Sequence, residues 1–338
     1  MTALTLTGRT ATPRRLLRLA LLALSLASLE ACGGTAASHP AAHVPTIEER
    51  VDGDPLAVLP GAAALLVSVD ARAFYASGSG AQAGPLLDGA FPVGAEAGFV
   101  PSRDVDWITI GVYSMEGADF AAVINGRFDA AKVDQAAQSH AATRGGATIA
   151  VSQYAGRSLY TVGDVGFTIL TPRTALAGTQ TGMKRTLDRI HDGRLQRDLP
   201  PWMIQAVETK GPAIVVAGDL ANQQFSQLTA TAPMLATALA GLRVIRLLAD
   251  FHDPGLNVAG TLTYADAQTA QTAAGGLRQA GNLANILAIS GVVPQLRGLD
   301  VNVAESNVQA KFAVDDQSLR AFLSHVSQWT PPGAGSRR

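Results

Sequence analysis

The hydrophobic pattern of this chain is written twice. Ala64-Leu65-Leu66-Val67-Ser68-Val69-Asp70 and Ala213-Ile214-Val215-Val216-Ala217-Gly218-Asp219 align without a gap. Each is a short apolar, β-branched run of the kind a buried strand requires, and a repeat of this kind fixes the architecture. A hairpin pattern follows each run. Residues 107–114 and 119–128 flank Glu116-Gly117, while 243–251 and 256–264 flank Asp253-Pro254-Gly255. With Pro and Gly as its central residues, the second turn is predicted to be type II. An aspartate then opens a helix in each half, Asp129 before 130–140 and Asp266 before 267–280. Its carboxylate accepts from the free N–H groups of a first helical turn. Strand pairs follow at 148–154 with 158–162 and at 301–305 with 308–314, and the first half adds a strand at 166–170. Helices at 180–190 and 317–328 close the halves, and a helical insertion at 200–210 joins them.

Sequential hairpins with interspersed helices predict an α+β fold, two degenerate repeats of mostly antiparallel sheet with helices packed on one face. Asp70 and Asp129 are 59 residues apart, whereas Asp219 and Asp266 are 47 apart, so the repeat is degenerate. The chain divides into a leader (1–31), a flexible tether (32–55), a first half (56–200), a second half (201–329) and a disordered tail (330–338) rich in Pro and Gly. The glycine-rich run Gly78-Ser79-Gly80-Ala81-Gln82-Ala83-Gly84 lacks the spacing of a phosphate loop and is read as a flexible loop.

The leader carries Arg9, Arg14, Arg15 and Arg18 without an acidic residue until Glu30, and 19–29 is apolar except for Ser25 and Ser28. A basic segment, a short apolar run and small residues are the order of a secretory signal. The run falls short of the ~20 residues that span a bilayer. The segment Leu29-Glu30-Ala31-Cys32 contains the only cysteine and resembles the lipobox of bacterial lipoproteins. The resemblance implies cleavage before Cys32, acylation of that residue and attachment to a lipid bilayer. Gly33 and Gly34 lack the Asp that retains some lipoproteins at the inner membrane, which favours the outer membrane. Glu30 stands where a lipobox has a small uncharged residue, and cleavage after Ala36 to give an unanchored protein is the competing reading.

A second resemblance concerns the body. Leu59-Pro60-Gly61 before the strand ending in Asp70, then Gly126-Arg127-Phe128-Asp129, then Tyr154-Ala155-Gly156-Arg157-Ser158-Leu159-Tyr160, and Thr174-Ala175-Leu176-Ala177-Gly178 before a helix resemble an uncharacterised domain family of secreted bacterial proteins. The likeness covers roughly residues 56–195. That family lends no activity.

Without residues 1–31 the chain keeps 22 basic and 26 acidic residues, a net charge of −4. This argues against nucleic acid, which demands a basic footprint. One cysteine excludes an intramolecular disulfide, so packing alone must stabilise an exported body. No nucleophile elbow, Walker motif, zinc-protease helix or dinucleotide fingerprint is present, and no cofactor or metal is expected. His39 and His43 are separated by Pro40 and read as part of the tether.

The strongest polar cluster is Asp250, His252 and Asp253, types suited to metal binding or general acid–base work, although all three flank a turn where such residues commonly meet solvent. Asp104 and Asp106 read as a solvated approach to a strand, and Asp315 and Asp316 as helix caps. Lys184, Arg185, Arg189, His191, Arg194 and Arg197 form the main basic concentration, read as structural because Asp188, Asp192 and Asp198 interrupt it. Tyr154 and Tyr160 read as sheet packing, with Arg157 in the turn between them. The leading functional reading is a non-enzymatic, membrane-tethered binding or assembly module that meets other envelope proteins. The alternatives are a periplasmic carrier holding an apolar ligand along 234–249, and a hydrolase whose histidine converges with distant carboxylates.

Overall fold

The computed structural model describes residues 44–90, 97–116, 119–139, 149–231, 233–288 and 294–321. Cys32 and its leader, His39, His43 and the tail 330–338 lie outside the described residues.

Among the described residues, twelve strands form one antiparallel sheet. At its centre β1 (Leu65–Asp70) pairs with β8 (Ile214–Asp219). These are the two copies of the repeated run, and the repeat-equivalent residues Val67 and Val216 stand opposite each other. A local pseudo-twofold axis therefore passes between them. On one side the order continues through β2 (Val105–Ser114), β3 (Asp119–Gly126), β7 (Thr174–Thr179), β6 (Val165–Thr171), β5 (Arg157–Val162) and β4 (Ala150–Tyr154). On the other it runs β9 (Leu242–His252), β10 (Gly255–Tyr264), β12 (Asn307–Asp315) and β11 (Leu296–Ala304). The β6–β7 hairpin is thus the counterpart of β11–β12. The pair 148–154 with 158–162, expected in that role, is instead the addition of the first half. Strand β7 had no counterpart in the hydrophobic reading.

The helices between strands begin where side-chain acceptors are available. Asp70 closes β1 and caps α3 (Ala71–Ala76), its Oδ1 accepting from the Ala73 N–H at 2.9 Å. Asp129 caps α6 (Ala130–Gln138), Thr179 caps α7 (Gln180–His191) and Asp266 caps α11 (Ala267–Leu287). The remaining helices are α1 (Ile47–Gly53), α2 (Pro55–Val58), α4 (Gly78–Ala90), α5 (Pro101–Asp104), α8 (Pro201–Val207), α9 (Ser226–Thr231) and α10 (Ala236–Leu239). Residues 316–321 are helical, the start of the helix expected at 317–328.

The tether does not reach residue 55. Thr46 and Glu49 form a capping box on α1, and Val51 is fully buried. Asp52 accepts from the hydroxyls of Thr171 and Thr174, which pins α1 to the β6–β7 turn. The glycine-rich run is not a loop but the start of α4, where the buried Ser79 hydroxyl donates to Asp316. The β9–β10 turn is not type II, because its central residues are Asp253 and Pro254 and Gly255 already pairs with His252. In the β4–β5 hairpin the turn is Ala155-Gly156, with φ of 50° and 76°. Both left-handed values suit a two-residue hairpin turn, and Arg157 belongs to β5.

The α+β class and the antiparallel sheet stand as read from the sequence. Helix placement differs between the halves. In the second half α11 packs Ala270, Ala273 and Ala274 against Tyr264, Val301 and Val308 on a single face. In the first half β3 and β7 are apolar on both sides. Val123 and Leu176 join Leu66, Met183 and Leu187 beneath α7, while Ile124 and Ala175 pack with Ala71, Phe99 and Val105 beneath α3. Successive side chains alternate across a strand, so two apolar sides require two layers of cover.

Leu59, just after α2, is fully buried, whereas Val165 is 47% exposed. Leu59→Ala is expected to cost about 2–5 kcal/mol and Val165→Ala less than about 0.5 kcal/mol, measured by urea denaturation. Equal, small effects would show that the stretch after α2 is not packed into the core.

Candidate functional site

On the face of the sheet that carries α7 and α8, two open grooves lie on either side of α8. Helix α8 packs over β8 and β1, across the pseudo-twofold position. Thr209, just beyond it, lines both grooves. One groove lies over β1 and β2, the other over β8, β9, β10 and β12, so the second reaches further from the repeat axis than the first.

The first, which we call the central groove, encloses about 680 Å³. Its floor is set by register: Ser68 stands opposite Thr109, and Asp70 opposite Trp107. Ser68 and Thr109 are 3% and 4% exposed. One step along the same face is Leu66, in the apolar core. Folding alone would favour an apolar residue at such positions, since a buried hydroxyl must recover its lost hydration through hydrogen bonds. The Trp107 indole Nε1–H donates to the Ser68 hydroxyl at 2.9 Å. The rim is built from an ion-paired bridge. The Arg197 guanidinium contacts Asp54 at 2.7 Å and Glu208 at 2.8 Å, joining the α1–α2 junction to the end of α8. The hydrogen bond that Arg197 donates to Asp54 is the main reason the guanidinium is held further into its charged range. Lys210 and Asp70 complete the wall, and Gly53 and Gly211 contribute no side chains to fill it.

The second groove, about 480 Å³, has the more apolar lining of the two. Arg246, Thr261 and Gln309 stand in one row across β9, β10 and β12. The Arg246 guanidinium lies 4.8 Å from the Trp202 ring centre, which fixes it beside α8. Val215, Ala259 and Leu248 supply the apolar part, and Leu248 is 41% exposed.

The residues singled out from sequence fall elsewhere. Asp250 Oδ1 accepts from the Ala213 N–H at 2.9 Å and so fastens the start of β8 to the end of β9. His252 and Asp253 are exposed at the turn, and the Asp253–Pro254 peptide is cis. The structure does not bring the three together around a ligand position. Among the described residues no group of three His, Cys, Asp or Glu could hold a metal ion. Neither His191 nor His252 lines a groove.

The basic concentration on α7 and beyond is largely consumed by packing. Arg189, 6% exposed, pairs with Asp198 at 2.7 Å and donates to the carbonyls of Gln196 and Ala57. Arg185 pairs with Asp119 and lies over the Tyr113 ring. Arg194 pairs with Asp192, and Lys184 lies over the Tyr154 ring. Burial, above all, pushes the Tyr113 hydroxyl well above its usual range. Tyr160 stacks on Phe167 at 5.0 Å, and its hydroxyl, pushed up to about 12 chiefly by burial, donates to Asp134. Asp315 caps the helix at 316–321 by accepting from the Ser318 N–H at 2.8 Å.

Asp104 is buried, contrary to the solvated reading, and is held by Arg103 at 2.5 Å and by the Val100 N–H at 2.9 Å. Burial raises its pKa, but the hydrogen bonds and the charges of Arg103 and Arg127 outweigh that effect and lower it overall. The hydrogen bond from Arg72 lowers Asp106.

Both carboxylates thus give up their proton more readily in the folded chain than in the unfolded one. Their contribution is present above the unfolded value of about 4 and is lost as pH falls through the folded values. Urea midpoints are expected to drop steadily below about pH 4, and Asp106→Asn is expected to flatten that drop. At the groove floor, Ser68→Ala removes the acceptor of the Trp107 N–H and should cost about 1 kcal/mol, with a change in tryptophan emission. An unchanged spectrum and stability would dissolve the Ser68–Trp107 link.

No family model matches this sequence, and no curated protein matches it. Among solved structures the fold is similar to that of TP0453. Crystal form III of TP0453 aligns with a TM-score of 0.50 at 14% identity, covering 80% of this chain and 98% of that one. Crystal form I gives 0.49 at 11% identity, covering 80% and 96%. At these identities the likeness is one of fold, an α+β chain built on a large antiparallel sheet.

Proposed function

We propose that this chain is an exported lipoprotein, acylated at Cys32 and held at a bilayer, whose body is a non-enzymatic binding module. The leader, the lipobox-like Leu29-Glu30-Ala31-Cys32 and the bilayer as partner carry the address. Among the described residues no helix is long and apolar enough to cross a membrane, so in this reading attachment falls to the acylated cysteine. Several acyl chains anchor durably, at about 0.8 kcal/mol for each buried CH₂. The outer membrane is the favoured location, on the strength of Gly33 and Gly34.

One observation carries the binding role: buried hydroxyls at the floor of a groove of about 680 Å³, at the middle of the sheet. That volume lies within the ~300–1,000 Å³ of small-molecule sites. The carrier of an apolar ligand is the second reading, favoured by the exposed Leu248 beside Val215 and Ala259 in the other groove. Both grooves are open, which suits a contact surface better than the sealing of a fully apolar cargo.

The anchor is tested by fractionation. The wild-type chain is expected in the membrane pellet, released by detergent and not by high salt, while Cys32→Ala moves to the soluble fraction. Persistence of Cys32→Ala in the pellet would sink the anchor. The carrier reading expects an apolar fluorescent dye to bind with at least about tenfold lower affinity to Leu248→Glu than to wild type; equal dye affinity removes it.

A further inference from the structure

We infer that the central groove is a binding site for a short neutral oligosaccharide. The inference deepens the binding-module reading and rests on it. Four features of the groove bear on the ligand.

Its floor presents two buried hydroxyls, Ser68 and Thr109, on adjacent strands in register. A hydroxyl both donates and accepts, so such a floor matches ligands that are themselves arrays of hydroxyls. It is a poor floor for hydrocarbon, which would strip both groups of water and return no hydrogen bond. The Trp107 indole N–H is committed to Ser68. What Trp107 still offers the groove is apolar ring surface, which suits the C–H face of a sugar ring.

Charge narrows the choice further. Asp54, Asp70 and Glu208 line the groove together with Arg197 and Lys210, three carboxylates against two cations. Arg197 already binds both Asp54 and Glu208. An anionic ligand would meet net repulsion and find the guanidinium engaged, whereas a neutral polyhydroxyl ligand can share hydrogen bonds with the paired groups and leave the pairs intact. An extended peptide is disfavoured for a different reason. Strand β1 is paired on both sides, with β8 and β2, so its main-chain groups are occupied and no strand can be added here. Recognition in this groove must come from side chains.

The test uses the full-length chain, purified in a detergent without a sugar headgroup and titrated calorimetrically with chitotriose, cellotriose and the anionic trigalacturonate. Saturable one-site binding of either neutral trisaccharide is expected, with trigalacturonate weaker. Thr109→Val should weaken binding about tenfold, and Trp107→Ala should abolish it. Melting midpoints recorded alongside identify any variant that fails to fold, and Val165→Ala, an exposed change outside the groove, must leave a neutral sugar bound within about threefold. Absence of saturable heat up to about 10 mM, undiminished binding by folded Thr109→Val, or a preference for trigalacturonate would overturn the assignment. The titration is independent of acylation: a failed Cys32→Ala fractionation removes the anchor and leaves this result readable. A failed titration removes the sugar and leaves the anchor.

Discussion

The pairing of β1 with β8 is the interaction on which the rest of this structure depends. Each copy of the repeat ends in a strand with an unsatisfied edge, and unpaired N–H and C=O groups along such an edge invite association with other chains. Joining the two edges antiparallel, with Val67 opposite Val216, satisfies both at once and makes one sheet of two half-sheets. The pseudo-twofold relation is a consequence of that register. A slip of one residue would turn every side chain of β1 to the opposite face relative to β8, exposing Leu66 and burying Val67 in its place.

That junction also explains where the polar groups can sit. Strands at the middle of a sheet are held by ladders on both sides, so their side chains contribute less to fixing the pairing than those of an edge strand. Ser68 and Thr109 occupy the row next to Leu66; the Ser68 hydroxyl is tolerated because it accepts from the Trp107 indole N–H, and both hydroxyls face a groove that stays open. The ion-paired rim answers the same requirement. Arg197, Asp54 and Glu208 hold α1, α2 and the end of α8 apart at fixed distance, which keeps the groove from collapsing onto its floor.

Much of the fold was legible in the residues, for identifiable reasons. The repeat was readable because β1 and β8 are both buried and must both be apolar. Asp70, Asp129 and Asp266 were readable as strand or helix boundaries because capping is local chemistry. The tether ends earlier than its composition suggests although the signal is present: Thr46-Ile47-Glu48-Glu49 has the Thr-x-x-Glu spacing of a capping box. Helix α4 was hidden because four glycines and Pro85 lower its propensity, and tertiary contacts, among them Ser79 with Asp316, override it. The groove was not legible at all. Ser68, Trp107, Asp54, Arg197 and Glu208 are scattered over 155 residues, and only strand register and one ion-paired bridge bring them together. The single local hint was Ser68 itself, a hydroxyl in a run whose other copy has Ala217.

That difference between copies bears on how the site arose within the fold. The row of Ser68 and Thr109 in one half corresponds to the row of Ala217 and Arg246 in the other, since Ala217 pairs with Arg246 as Ser68 pairs with Thr109. In the first half the row is buried under α8 and its flanking rim, so hydroxyls small enough to leave a cavity are the polar groups it can hold. In the second half no helix among the described residues closes over β9 and β10 on that face, and a long cation stacked on Trp202 can extend into solvent there. The same two strand positions thus carry buried hydroxyls in one half and an alanine beside a stacked arginine in the other. The asymmetry comes from the cover: α1, α2 and α7 have packed against one half only. The repeat supplies the sheet, and the unequal helical cover decides which side chains line the groove in each half.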